Sequence, residues 1–177
     1  MKKIFLLAAM LMTLLTCTAF AAQNSYNTTK VVLISGAEFK TKDYYKIVEK
    51  NLGTKTKTAY ECGDEIQRSY QMFMMDRYDI GEDKPRKQDM IDFAERNSYK
   101  NVVFIILDEN IDTHSHGKHS EKIRSTIQMD AYLVSNDRIA DFATTSQEFT
   151  SKASNLRARR GAFEKCLKEV ANVMNLY

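Results

Sequence analysis

Apolar and polar positions change period several times along the chain, and each change predicts an element. Lys30-Val31-Val32-Leu33-Ile34 is a short, β-branched apolar run closed by Ser35-Gly36, which predicts a buried strand. Thr41 and Asp43 are cap-type residues ahead of Tyr44, Ile47, Val48 and Leu52 at helical spacing, with Gly53 as the stop. Thr54 to Tyr60 alternates Thr with Lys and predicts a polar strand at a sheet edge, where lysines discourage further pairing. Asp64 and Gln67 have capping-box spacing, and Ile66, Tyr70, Phe73 and Met74 form one stripe of a helix ending before Gly81. Pro85 suits the first turn of the next helix, which carries Met90, Ile91, Phe93 and Ala94.

Asn101 to Leu107 is a continuous apolar run, the pattern of a central strand covered on both faces. Asp108 to Ser120 is polar, holds three histidines and reads as a loop. Strict alternation follows, with Ile123, Ser125, Ile127, Met129, Ala131 and Leu133 on one side and Arg124, Thr126, Gln128, Asp130 and Tyr132 on the other. Ser135-Asn136-Asp137 is a turn, and Arg138 to Thr150 returns as the hairpin partner. A last helix is expected from about Ser151 to Asn175, with Leu156, Phe163, Cys166, Leu167, Val170 and Val173 facing inward. The order β-α-β-α-α-β-β-β-α predicts an α/β fold, a single mixed β-sheet with helices packed on it, in one domain over residues 30–177.

The amino terminus changes the picture most. Lys2 and Lys3 precede an apolar run from Ile4 to Leu15, and Ala19-Phe20-Ala21 forms an Ala-x-Ala exit. Residues 1–21 therefore read as a secretory signal peptide, and residues 22–29 as a flexible lead-in. The apolar run is too short for a stable membrane anchor. Cleavage after Ala21 leaves 156 residues, enough for one full core, and losing Lys2 and Lys3 lowers the formal charge from +3 to +1. Interspersed acids and bases give no reason to expect nucleic acid. Cys17 in Leu14-Leu15-Thr16-Cys17 offers a second reading, a lipid-anchored lipoprotein, although Thr16 is a poor residue before a lipidated cysteine. The exported chain keeps Cys62 and Cys166, which can form one bridge or remain two buried thiols.

The Val31-Val32-Leu33-Ile34 strand, the phrase Asn101-Val102-Val103-Phe104-Ile105-Ile106 and the alternating strand 123–134 before a final helix resemble a group of bacterial envelope domains. These are the amino-terminal domain of the Tol system's β-propeller protein, the periplasmic domain of the curli-secretion lipoprotein, and the penicillin-binding-protein activator lipoproteins. The resemblance implies an envelope protein that acts by binding another. It is one of pattern, and no functional residue carries over with it.

For chemistry, His114-x-His116-x-x-His119 is the sharpest cluster, with Asp108, Glu109 and Asp112 upstream. Imidazole and carboxylate are ligands for zinc, copper or nickel, and a loop at the carboxyl end of a central strand lies where open α/β sheets bind ligands, joined there by Glu38 if the first strand is its neighbour. A mobile, solvated connection accounts for the same residues. Lys152, Arg157, Arg159 and Arg160 make the last helix basic at its start; with no aromatic platform or groove beside them, they read as a solvated face, though an anionic partner such as a phospholipid headgroup fits the charge. Met72, Met74 and Met75 beside Phe73 read as core. No phosphate-cradling glycine loop, nucleophile elbow or Ser-x-x-Lys is present. The expected function is an exported, periplasmic, non-catalytic accessory protein that binds an envelope partner through the Thr54–Tyr60 edge or the outer face of the hairpin. The alternative is a small metal protein built on the histidine loop.

Overall fold

In a computed structural model of the chain, the structure describes residues 28–36, 40–52, 58–78, 84–115 and 121–176. The expected leader, Cys17, Glu38, Gly53, Gly81, His116 and His119 lie outside the described residues. The elements are β1 (Thr28–Ser35), a 3-10 turn (Thr41–Asp43), α1 (Tyr45–Leu52), β2 (Ala59–Glu61), α2 (Asp64–Arg77), α3 (Lys87–Arg96), β3 (Asn101–Ser115), β4 (Glu121–Ser135), β5 (Ile139–Ser151) and α4 (Asn155–Val173). This is the predicted order. One five-stranded sheet runs β2-β1-β3-β4-β5, with β1 parallel to β2 and β3 and the last three strands antiparallel.

Alternate residues of the central strands feed two separate cores. Val31, Leu33, Val103, Ile105 and Leu107 face α1 and α4, together with Ile127, Met129 and Ala131. Val32, Ile34, Val102, Phe104 and Ile106 face α2 and α3. The second core is largely aromatic: the Tyr70, Phe73 and Tyr99 rings surround Phe93 edge-on, with centroids 5.4–5.9 Å away. Phe104 lies 5.9 Å from both Tyr70 and Phe93. The hairpin between β4 and β5 turns on Asn136 and Asp137, both at positive φ (50° and 59°), which matches the twist of its strands. Ser135 N–H donates to the Arg138 carbonyl at 2.9 Å and closes that turn.

Several expectations need correction. Thr28 and Thr29, expected in the lead-in, pair with Ala59 and Tyr60 as part of β1. Pro85 precedes α3 instead of opening it. Gly63 holds the cap position of α2 expected for Asp64, which is instead the first helical residue; Gln67, expected to reach back to Asp64, donates to the buried Leu33 carbonyl at 2.7 Å, tying α2 to β1. Asp108 to Ser115 is not loop: it pairs residue by residue with Glu121 to Gln128, so β3 and β4 continue as a ribbon beyond the end of β1, whose last partner is Leu107.

α4 is shorter than expected, and its two outermost apolar residues face outward: Leu156 is 39% and Val173 61% exposed. Its buried stripe relies on Ala158, Ala162 and Ala171 beside Phe163, Cys166, Leu167 and Val170. Small residues bring the helix axis close to the hairpin. At Gly161 the approach is closest, since a Cβ there would fall 2.4–2.7 Å from three ring carbons of Phe149.

Cys62 and Cys166 are both buried free thiols. Burial, with a smaller contribution from Glu49, pushes the Cys62 thiol up to about 12, and burial pushes Cys166 to about 11. The Cys166 thiol donates to the Ile127 carbonyl at 3.3 Å. Tyr44 is raised to about 12 by burial first and the Glu109 carboxylate second, and burial raises Tyr70 as well.

Two outcomes are expected. Gly161→Ala destabilises by about 1–2 kcal/mol in urea denaturation, because overpacking against the ring outweighs the better helix propensity of alanine. In a Phe149→Ala background the same change becomes stabilising, by up to about 1 kcal/mol. The second outcome concerns pH. Groups whose folded pKa is raised stabilise fully below their ordinary ionisation range, and lose that contribution as pH climbs toward the folded value. For Cys62, Cys166 and Tyr44 that window opens at about pH 8.5–10 and extends to 11–12. Stability measured at pH 11 is therefore lower than at pH 7 by about 2 kcal/mol or more. Below pH 8 neither thiol reacts with a thiol reagent until the protein unfolds.

Candidate functional site

The groups expected to gather at the carboxyl end of β3 do not converge where the structure describes them. Asp108 and Glu109 are consecutive strand residues and project from opposite faces. The Asp108 carboxylate is 70% exposed and sits 3.7 Å from Lys84 Nζ. The Glu109 carboxylate is 13% exposed and turned toward α4. His114 belongs to β3, opposite Lys122 of β4. Among the described residues, no three His, Cys, Asp or Glu side chains come together as a metal-binding group.

Glu109 instead anchors a polar joint between the sheet and the first turns of α4. Arg159 Nε donates to Glu109 Oε1 at 2.7 Å, and Ser125 Oγ donates to the same oxygen at 3.1 Å. The ring of Tyr44 packs at a tilt of 59° against Phe163 with centroids 4.8 Å apart. One residue further on, Arg160 reaches Asp43 of the 3-10 turn at 3.4 Å. A carboxylate this far from water requires a charged partner, because leaving it unpaired costs about 3–5 kcal/mol. Arg159 is thus a structural cation.

Its neighbours point elsewhere. Arg157, Arg160, Lys165 and Lys168 line an open groove of about 350 Å³ along α4, with Phe149 of β5 and Gly161 completing it and Glu164 as its one carboxylate. A second hollow of about 350 Å³ shares Phe149 and Arg157 and runs past Thr150 and Ser151 to Lys152. Lys165 Nζ lies 5.6 Å from the centre of the Phe149 ring. The aromatic residue and the groove missing from the linear pattern are therefore both present. They are supplied by β5, which the sequence places on the other side of a turn.

The opposite face of the hairpin carries a different surface. Phe142 is 57% exposed and stacks on Tyr132 at 5.9 Å with an 18° tilt. Lys87 Nζ lies 6.0 and 5.8 Å from the two ring centres. Polar pairs continue the same face, with Thr144 Oγ1 donating to Asp130 at 2.8 Å and Arg124 3.7 Å from Glu148. Met72 and Met75, expected in the core, are 67% and 72% exposed on α2; only Met74 and Phe73 of that group are buried. The expected edge strand near Thr54–Tyr60 is β2, three residues long at one edge of the sheet, with Lys30 paired to Glu61 beside it. The other edge is β5, thirteen residues long and without lysine or proline. No helix among the described residues is long and apolar enough to cross a membrane.

No family model and no curated protein matches the chain. Solved structures of similar outline do. The PelC dodecamer from Paraburkholderia phytofirmans is 12% identical, with 84% of this chain and 86% of that one covered at a TM-score of 0.47. A hypothetical protein from Chlamydia trachomatis is 7% identical over 85% of this chain and 97% of its own, also at 0.47. A lipoprotein from Neisseria meningitidis is 13% identical over 85% and 99%, at 0.44. At these identities and scores, no function transfers from them to this chain.

Proposed function

We propose that this chain is an exported accessory protein of the bacterial cell envelope that acts by binding another envelope component, without catalysing a reaction. The observation that carries this reading is the pattern of residues 1–21, two lysines, an apolar run and an Ala-x-Ala exit, which reads as a leader for exporting the domain that follows. The surface supports it. Carboxylates near the end of β3 are engaged in separate ion pairs, Asp108 with Lys84 and Glu109 with Arg159, an arrangement suited to holding a shape. The hairpin meanwhile presents a long strand edge, and its outer face an exposed Phe142–Tyr132 stack crossed by Lys87. Exposed strand edges and aromatic patches are the features through which binding modules engage proteins. Kinship with the Tol, curli-secretion and penicillin-binding-protein activator domains belongs to the same proposal.

Two measurements test it. Intact mass of the protein recovered from its native cells is expected to match a chain beginning at Ala22. A diacylglyceryl group on Cys17 would instead make it a lipoprotein, and an intact chain retaining Lys2 and Lys3 in the cytosol would remove the reading altogether. In-cell crosslinking followed by affinity purification is expected to recover at least one envelope protein. Phe142→Ala reduces that yield severalfold if the hairpin face is the contact, and recovery of nothing above background would count against a binding role.

A further inference from the structure

We infer that the groove between α4 and the free edge of β5 is a docking site for an extended acidic polypeptide segment, which adds to the sheet as a sixth strand and sets its carboxylates against the helix. This rests on the binding-protein reading above and specifies the partner's chemistry. Three observations carry it.

The first is charge. Lys152, Arg157, Arg160, Lys165 and Lys168 line the two adjoining hollows; Arg160 pairs with Asp43 and Lys168 with Glu164, which leaves Lys152, Arg157 and Lys165 as the cations without a carboxylate there among the described residues. The Lys152 and Arg157 side chains are exposed and have no carboxylate partner among the described residues. Arg157 to Lys168 covers about 16 Å of helix, more than one isolated anion would occupy and suited to a run of carboxylates. Clefts lined by one sign of charge draw in the opposite charge and orient it.

The second is the strand edge beside those cations. Among the described residues, β5 has β4 on one side only. Lys165 Nζ donates to the Glu148 carbonyl at 3.0 Å, and the Phe142 N–H is taken by the carboxylate of Asp141 at 2.8 Å. Both are backbone groups of even-numbered residues. Alternate residues of an antiparallel strand direct their backbone groups to the same side, so Thr144 and Ser146, between them, also face outward. Two of the outward positions are held by the protein's own side chains, and the central two have no such partner among the described residues. A polypeptide can satisfy those backbone groups; a polysaccharide or a lipid headgroup cannot do so in register.

The third is the length of that edge, which carries two carboxylates, Asp141 and Glu148, and one register irregularity opposite Leu133 and Val134. A strand of thirteen residues with no lysine and no proline is long for an edge that must stay solitary. Lys165 is a movable guard. Its exposed amine can leave the Glu148 carbonyl and pair with an incoming carboxylate at little cost.

The test uses the full exported chain and a short fluorescent peptide of alternating Glu and Thr, followed by anisotropy. Competitors are the same peptide with alternate amides N-methylated, a Lys–Thr counterpart, polygalacturonate, and phosphatidylglycerol vesicles. The acidic peptide is expected to bind with an affinity that falls severalfold from low to physiological salt. N-methylation and the double substitution Lys152→Gln/Arg157→Gln should each weaken it by about fivefold or more, with the far-UV spectrum and melting temperature unchanged. Absence of binding, indifference to N-methylation, or equal binding by the double variant overturns the inference. Tighter capture of polygalacturonate or vesicles reassigns the groove to a glycan or a membrane surface. In-cell crosslinking that still recovers an envelope partner after such a failure leaves the binding role standing and removes only the groove.

Discussion

The structure depends on burial of both faces of β3. From Val102 to Leu107 successive side chains alternate between two cores, so a slip of one residue would move every apolar group to the wrong layer. That constraint fixes β1 beside β3 in parallel register and requires a helical layer on each side of the sheet. The two layers solve the problem differently. Beneath α2 and α3 the space is filled by aromatic rings meeting edge to face. Beneath α4 it is narrowed by alanines and Gly161, so the helix lies close enough for its thiol at Cys166 to reach a β4 carbonyl.

The Glu109–Arg159 joint follows from the same geometry. β3 outlasts β1, and the first strand residue beyond β1 that turns toward α4 would meet a helix end with nothing to neutralise it unless that end supplied a cation. Arg159 does so. Its neighbours Arg157 and Arg160 are rotated by about 100° per residue around the helix and reach different surroundings. Three similar arginines within four positions thus take distinct parts. One holds the sheet, one clasps the 3-10 turn at Asp43, and one faces water at the mouth of a groove.

The element order, the doubly buried strand, the alternation of β4 and the Asn136–Asp137 turn were all legible in the linear pattern, because each is dictated by local period or local backbone preference. The continuation of β3 through Asp108-Glu109-Asn110-Ile111-Asp112 was not. Asp108 and Asn110 face water and Glu109 is satisfied by Arg159, so little apolar content is needed there, and what holds the segment extended is pairing with β4, which local composition does not report. Apolar weight also misplaced the ends of α4: Leu156 and Val173 look like core, yet alanines carry the buried stripe there since the helix lies too close to the hairpin for larger residues. The basic groove stayed hidden for a different reason. Its cations are consecutive turns of one helix, but its aromatic wall, Phe149, comes from the preceding strand and is admitted only by a missing Cβ at Gly161.

The two borders of the sheet are unequal, with β2 three residues long and β5 thirteen. A sheet that offers a full-length border on one side alone can accept a neighbour once, and the complex then has no comparable border left on this subunit for another. Cross-β polymers require two such borders per unit so that growth can continue. A partner strand docked on β5 would therefore end the sheet there, so that one exposed border would not by itself propagate a fibre.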